Sequence, residues 1–188
     1  MKVTETELKD VYLIEPQVFG DARGWFIESW SKRKMEEAGF HIDFVQDNQS
    51  YSAKKGTLRG LHYQLQPKSQ GKLIRVTRGA VFDVAVDIRK GSPQYAKWTG
   101  EILSAENKKQ LWIPKGFAHG FITLTDDVEV QYKADNYYAP EYDGNIRWDD
   151  PDIDIKWPLE PQILSSKDQA APMLKERTEL NFVYGEMD

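Results

Sequence analysis

The sequence predicts a mainly β fold, an antiparallel sandwich or barrel with a few short helices. Three observations predict it. Short runs of residues alternate between apolar and polar. Turn signals recur at close spacing between them. Aromatic residues make up 12% of the chain, with six Trp, and large rings suit a β-rich core.

The run Val81-Phe82-Asp83-Val84-Ala85-Val86-Asp87-Ile88 is the clearest strand, with Phe82, Val84, Val86 and Ile88 on one face. Similar runs occupy 58–65, 73–77, 109–113, 117–124 and 128–134. Arg78-Gly79, Gly91-Ser92-Pro93, Pro114-Lys115-Gly116 and Thr125-Asp126-Asp127 mark turns between them. One helix is predicted, with Ser31 as cap, 32–38 as its body and Gly39 as its stop. From Tyr138 onward Pro, Asp and Trp are frequent, which predicts loops and short helices wrapped around the strands. No repeat or linker divides the 188 residues, so one domain is expected, with a core over about 45–135 and a wrapping segment over about 138–188.

Composition narrows the function. There is no Cys, which removes disulfides, thiolate nucleophiles and Cys-ligated metals. The net charge of -5 and pI near 5.3 argue against general nucleic-acid binding, yet leave room for an anion in a pocket holding a few Arg and Lys. No apolar run approaches the roughly 20 residues of a membrane helix, and the N-terminus lacks a signal-peptide core. A cytoplasmic protein is expected.

Three His are available. Alternation places Gly60, His62 and Gln64 on one face of their strand and Leu61, Tyr63 and Leu65 on the other. Taken alone, His62 reads as a surface histidine. The same alternation sets Arg59 opposite His62, so both meet one ligand only where the strand bends, bulges or has the ligand at its end. His119 shares a face with Phe117 and Phe121, as a satisfied core histidine would. His41 follows the helix stop and suggests no role. Tyr132 is in phase with Val128 and Val130 on a buried face, where its hydroxyl needs a partner or donates a proton. Arg23, Glu28, Arg59, Lys72 and Lys167 read singly as solvated charges, and Asp168 as a cap.

Several segments together resemble the dTDP-4-dehydrorhamnose 3,5-epimerase family, a metal-independent branch of the cupin-like jelly-roll barrels. They include Asp21-Ala22-Arg23-Gly24-Trp25-Phe26-Ile27-Glu28, Gln46-Asp47-Asn48-Gln49-Ser50, Leu58-Arg59-Gly60-Leu61-His62-Tyr63-Gln64, Ile113-Pro114-Lys115-Gly116-Phe117-Ala118-His119-Gly120-Phe121, Trp148-Asp149-Asp150-Pro151 and Leu164-Ser165-Ser166-Lys167-Asp168. They run in order across nearly the whole chain. The segment Asp143-Gly144-Asn145-Ile146 departs from the family, which usually has Gly directly before Ile.

The resemblance implies a cytoplasmic homodimer that inverts C3 and C5 of dTDP-4-dehydro-6-deoxy-D-glucose. No cofactor is implied, because the ketone at C4 already acidifies both C–H bonds. It implies His62 as base, Asp168 as the carboxylate orienting it, Lys72 beside the ketone oxygen and Tyr132 as the acid on the opposite face. Arg59 and Arg23 match diphosphate contacts, with Arg23, Phe26 and Glu28 supplied by the partner subunit. Gln46, Asp47, Asn48, Tyr138, Asp143 and Lys167 match further binding positions, and His119 matches a sugar contact. Metal-binding cupins carry two His one residue apart on a strand, and Gln64 stands where the second would fall after His62. The rivals are an enzyme inverting only C3 or only C5, a non-catalytic sugar-nucleotide-binding barrel, and a metal-dependent cupin enzyme.

Overall fold

The computed structural model describes residues 1–186. The elements, in order, are β1 (Lys2–Glu5), β2 (Tyr12–Glu15), β3 (Val18–Asp21), β4 (Gly24–Ile27), α1 (Lys32–Glu37), β5 (Gln46–Ser52), β6 (Leu58–Gln64), β7 (Lys72–Arg78) and β8 (Ala80–Asp87). There follow β9 (Trp98–Ser104), β10 (Gln110–Ile113), β11 (Phe117–Thr123), β12 (Val128–Ala134), β13 (Asp143–Asn145) and the single-turn helix α2 (Ser166–Gln169). Short 3-10 turns at Pro140–Tyr142 and Leu174–Glu176 complete the C-terminal segment.

The strands form two antiparallel sheets stacked face to face, the jelly-roll form of the expected architecture rather than one closed cylinder. One sheet has six strands in the order β1-β2-β10-β7-β12-β5, and the other has five in the order β13-β6-β11-β8-β9. A separate hairpin, β3–β4, makes a two-stranded sheet of its own. Between the sheets lies an apolar core with Ile74, Val76, Leu111, Ile113 and Val130 from the larger sheet and Val81, Ala85, Phe117 and Phe121 from the smaller. Each Val, Leu, Ile or Phe so taken from water stabilises the fold by about 1.5–3 kcal/mol.

The outer faces are covered as well. Leu61, Tyr63, Val84, Val86 and Ile88 point the other way from the smaller sheet, against Ile146, Ile153, Leu174, Leu180 and Phe182 of the C-terminal segment. That segment therefore wraps the sheet, and β8 is buried on both sides. On the outer face of the larger sheet, Ile14, Leu73 and Trp112 pack against Met35 of α1 and against Ile42, Phe40 and Phe44.

The alternating runs all became strands, within a residue or two at their ends. The predicted helix is α1, and Gly39 ends it with φ of 91°. Ser31 occupies the cap position but makes no side-chain cap bond. Among the described residues no helix is long and apolar enough to cross a membrane.

The strands β1 to β5, β9 and β13 carried no clear alternation signal. In β5 the inward residues are polar, Gln46, Asn48, Ser50 and Ser52, and alternate with exposed Asp47, Gln49 and Tyr51. A strand that lines a wet site has no apolar stripe to announce it.

Candidate active site

A cavity of about 450 Å³ opens between the two sheets at one end. One wall is β6 and β11, which supply Arg59, His62, His119 and Phe121. The other is β7 and β12, which supply Lys72 and Tyr132. The loop before α2 and α2 itself close the rim with Leu164, Ser165, Lys167 and Asp168.

A bulge decides what β6 presents. His62 pairs with His119 and Arg59 with Phe121, so Gly60 and Leu61 together oppose Gly120 alone. The extra residue reverses the phase of the strand. Arg59 and His62, which strict alternation sets on opposite faces, line the same cavity. Gly60 is what permits this. Its φ is +137°, and a Cβ there would lie 2.5 Å from the Gly120 Cα.

His62 is not a solvated surface histidine. Its Nε2 lies 2.6 Å from Oδ1 of Asp168, and Asp168 is only 3% exposed. With Nε2–H donating to that carboxylate, Nδ1 is the basic nitrogen. Burial works to raise the Asp168 pKa, but the hydrogen bond and charge of His62, with the Ser165 and Gly60 contacts, hold it below the ordinary value. The carboxylate is therefore ionised and suited to stabilise an imidazolium. Ser165 caps α2 by accepting from the Asp168 backbone N–H at 3.1 Å.

His119 has a carboxylate partner of its own, Asp83, at 2.7 Å from Nε2. Sequence reasoning passed over Asp83, which is fully buried within the apolar pattern of β8. Its β-strand phase, inward with Val81 and Ala85, was the available signal.

On the opposite wall the Lys72 ammonium stands 5.8 Å from the Tyr132 ring centroid. Burial pulls the Lys72 pKa down to about 8, with Asp143 and Asp83 opposing and Lys167 adding to the fall. Burial likewise raises the Tyr132 phenol, with Arg59 opposing. Tyr132 thus remains a neutral donor at neutral pH.

The remaining predicted residues lie around this centre. Arg59 spends two donors on Ser52 and the Tyr51 carbonyl, at 3.2 and 3.0 Å. Lys167 pairs with Asp143. Gln46 donates to Asn48 and accepts from the Tyr138 backbone N–H. Asp47 points to the outer face, where it meets Lys133 at 2.9 Å, and with Asn48 it lines an adjoining cavity that also reaches Tyr132. Arg23, Phe26 and Glu28 do not line the cavity. Arg23 and Phe26 stand on the exposed β3–β4 hairpin, and Glu28 pairs with Lys34. Among the described residues no group of three or more His, Cys, Asp or Glu is placed to hold a metal ion.

Such a fold and site define a class: a cupin-like jelly roll whose cavity sets a carboxylate-backed histidine against a phenol and an ammonium, a proton-transfer centre. Comparison with known proteins narrows the class. The family model described as dTDP-4-dehydrorhamnose 3,5-epimerase matches residues 5–176. The dTDP-4-dehydrorhamnose 3,5-epimerase of Shigella flexneri is 56% identical over 169 residues, 89% of this chain and 93% of that one. An epimerase structure from Legionella pneumophila, in complex with dTDP-4-keto-L-rhamnose, is 50% identical with a TM-score of 0.93, covering 97% of this chain and 98% of that one. A 3'-monoepimerase from Streptomyces bikiniensis, in complex with dTDP-quinovose, is 33% identical with a TM-score of 0.88, covering 96% and 92%. The chain belongs to the dTDP-4-dehydrorhamnose 3,5-epimerase family.

Proposed function

We propose that this chain epimerises dTDP-4-dehydro-6-deoxy-D-glucose at C3 and C5, giving dTDP-4-dehydro-β-L-rhamnose for dTDP-L-rhamnose biosynthesis. One observation carries it: the His62–Asp168 pair and the Tyr132 and Lys72 side chains enter one cavity from opposite walls. Inverting a carbon requires a proton to leave one face and another to arrive on the other. Binding alone would need no opposed base and acid.

In this mechanism Nδ1 of His62 takes the proton from the carbon beside the ketone. The C–H electron pair moves into the ring and places negative charge on the ketone oxygen. The Lys72 ammonium stabilises that oxyanion, and Asp168 the imidazolium. As the ketone re-forms, the Tyr132 hydroxyl delivers a proton to the far face of the same carbon. Solvent then takes the proton from His62 and restores the phenol. The ketone supplies the activation, so no cofactor or metal is required.

Arg59 and Lys167 are assigned to the diphosphate, for which guanidinium and ammonium groups are suited. His119 is assigned to a sugar hydroxyl, and Gln46, Asp47, Asn48, Tyr138 and Asp143 to the surrounding polar shell. The enzyme is assigned to the cytoplasm, with its charged, membrane-impermeant substrate. It is further proposed to be a homodimer in which the β3–β4 hairpin carries Arg23 and Phe26, and the residue just after it, Glu28, to the nucleotide in the partner's site. Among the described residues the hairpin pairs with no other strand, and Phe19, Trp25 and Phe26 on it are 52%, 59% and 68% exposed.

Inversion at C3 alone is the second reading, favoured by the likeness to the Streptomyces bikiniensis monoepimerase. The relatives sharing half or more of the sequence are named 3,5-epimerases, which favours double inversion. Incubation with the keto-sugar in heavy water, followed by NMR of the product, separates the two. Label should enter at both C3 and C5. In His62→Ala washout should be lost, and in Tyr132→Phe exchange at the first carbon should outlast inversion. Full exchange in His62→Ala would overturn the mechanism.

A further inference from the structure

Asp168 is the carboxylate behind the base, yet it rides on α2, a helix of four residues. A single helical turn has little stability of its own. Its 2.6 Å contact with His62 therefore depends on whatever fastens α2 to β6. The Leu58 N–H donates to the Ile163 carbonyl at 2.9 Å and ties the preceding loop to β6, and a second fastening comes from β13.

β13 is the edge strand beside β6, and its Asn145 pairs directly with His62. The Asn145 side chain is 6% exposed and spans two elements. Its Nδ2 donates to the Lys167 carbonyl at 3.0 Å, the peptide leading into Asp168. Its Oδ1 accepts from the Arg177 guanidinium at 2.6 Å, and Arg177 also donates to the Asn145 backbone carbonyl at 2.6 Å. Arg177 is in turn paired with Glu179 at 3.1 Å, and Glu179 accepts from the Tyr63 hydroxyl at 3.3 Å. Burial raises the Tyr63 pKa, so this hydroxyl keeps its proton.

The hydrogen bonds close a ring. It leaves β6 at Tyr63, passes through Glu179, Arg177, Asn145 and the Lys167 peptide, and returns to β6 at His62 through Asp168. Its chemistry fixes the Asn145 amide. Arg177 can only donate, so it selects Oδ1 and turns Nδ2 toward the carbonyl. We infer that Asn145, oriented by Arg177, is a positioning residue that sets the Asp168 carboxylate against His62.

This inference rests on the proposed epimerase mechanism and deepens it. The test is a double-mutant cycle. Asn145→Asp keeps the shape and the Arg177 contact but turns an acceptor toward the Lys167 carbonyl. Its kcat should fall about 10–100-fold, the scale seen when a hydrogen-bond partner that orients a metal ligand is lost, with KM for the dTDP-keto-sugar little changed. In an Asp168→Asn background the same substitution should cost less than about twofold, because residues acting as a unit are not additive. Arg177→Met, which keeps the stem and removes the guanidinium, should follow the same pattern and serves if Asn145→Asp does not fold. A merely structural role would cost the same factor in both backgrounds, and that result, or an unchanged kcat, would overturn the inference. Wild-type protein in heavy water separates the two claims: no exchange there refutes the epimerase mechanism, whereas normal exchange with an additive cycle refutes only the role of Asn145.

Discussion

Lys72 and Tyr132 share a wall and respond to burial in opposite senses. The charged form of each is disfavoured, so the lysine pKa falls to about 8 and the tyrosine pKa rises. Below pH 8 Lys72 is a cation able to hold an oxyanion. Above it the charge is lost while Tyr132 still holds its proton. The expected consequence is an alkaline limb in kcat/KM that bends near pH 8 and steepens toward a tenfold fall per pH unit. Lys72→Arg, charged throughout the accessible range, should move that limb to higher pH even if its rate is lower. A limb that stays in place in Lys72→Arg would assign it to another group. Asp168 adds nothing to this limb, since its lowered pKa keeps it ionised well below neutrality.

At the scale of elements, the bulge in β6 brings Arg59 and His62 to the same cavity. Gly60 at φ +137° sits against Gly120 with no room for a side chain. Gly60→Ala would add a methyl group 2.5 Å from a backbone carbon and 3.0 Å from the His119 carbonyl. The backbone strain alone should cost about 1–3 kcal/mol, measurable as a lower denaturant midpoint. If β6 instead relaxes to regular pairing, Arg59 turns away from His62, and KM for the nucleotide sugar should rise steeply. An unchanged midpoint together with an unchanged KM would show that the bulge does not set the phase. The edge strand β13 has a comparable division of labour. Gly144 lies flat against the Tyr63 ring, while Asp143 and Asn145 on either side hold Lys167 by its side chain and its peptide.

On the scale of the whole molecule, one hairpin stands outside both sheets, touched by the Lys108 ammonium 4.4 Å over the Trp25 ring. The β3–β4 hairpin carries exposed Phe19, Trp25 and Phe26, where a soluble monomer would rarely cluster large apolar side chains. A second copy would cover them. The mass in solution, by light scattering, should be twice that of the 21.8 kDa chain. Phe26→Asp should weaken the dimer and raise KM for the dTDP-sugar more than it lowers kcat, because the hairpin is assigned to the nucleotide and not to the reacting carbons. A monomeric wild type with full activity would remove the hairpin from the site.

The alternating strands follow from the chain's local pattern, since burying one face of a pleated strand requires a period of two. Val81–Ile88 and Val128–Ala134 were legible for that reason, and so was α1 with its Gly39 stop. The family resemblance singled out His62, Lys72, Tyr132 and Asp168. Only the tertiary structure decided how they meet. His62 and Asp168 lie 106 residues apart, and their contact exists because the C-terminal segment folds back over the smaller sheet. Polar β5 escaped notice because its inward side faces a wet cavity, where no apolar stripe is needed. Arg59 and His62 meet in one cavity through the bulge that alternation alone required, and its place could not be read along β6 because strand phase is local whereas a bulge arises between paired strands. The histidine that looks solvated from its strand is half-buried and held at Nε2 by a carboxylate from a distant turn, and no periodicity along β6 could have revealed that contact.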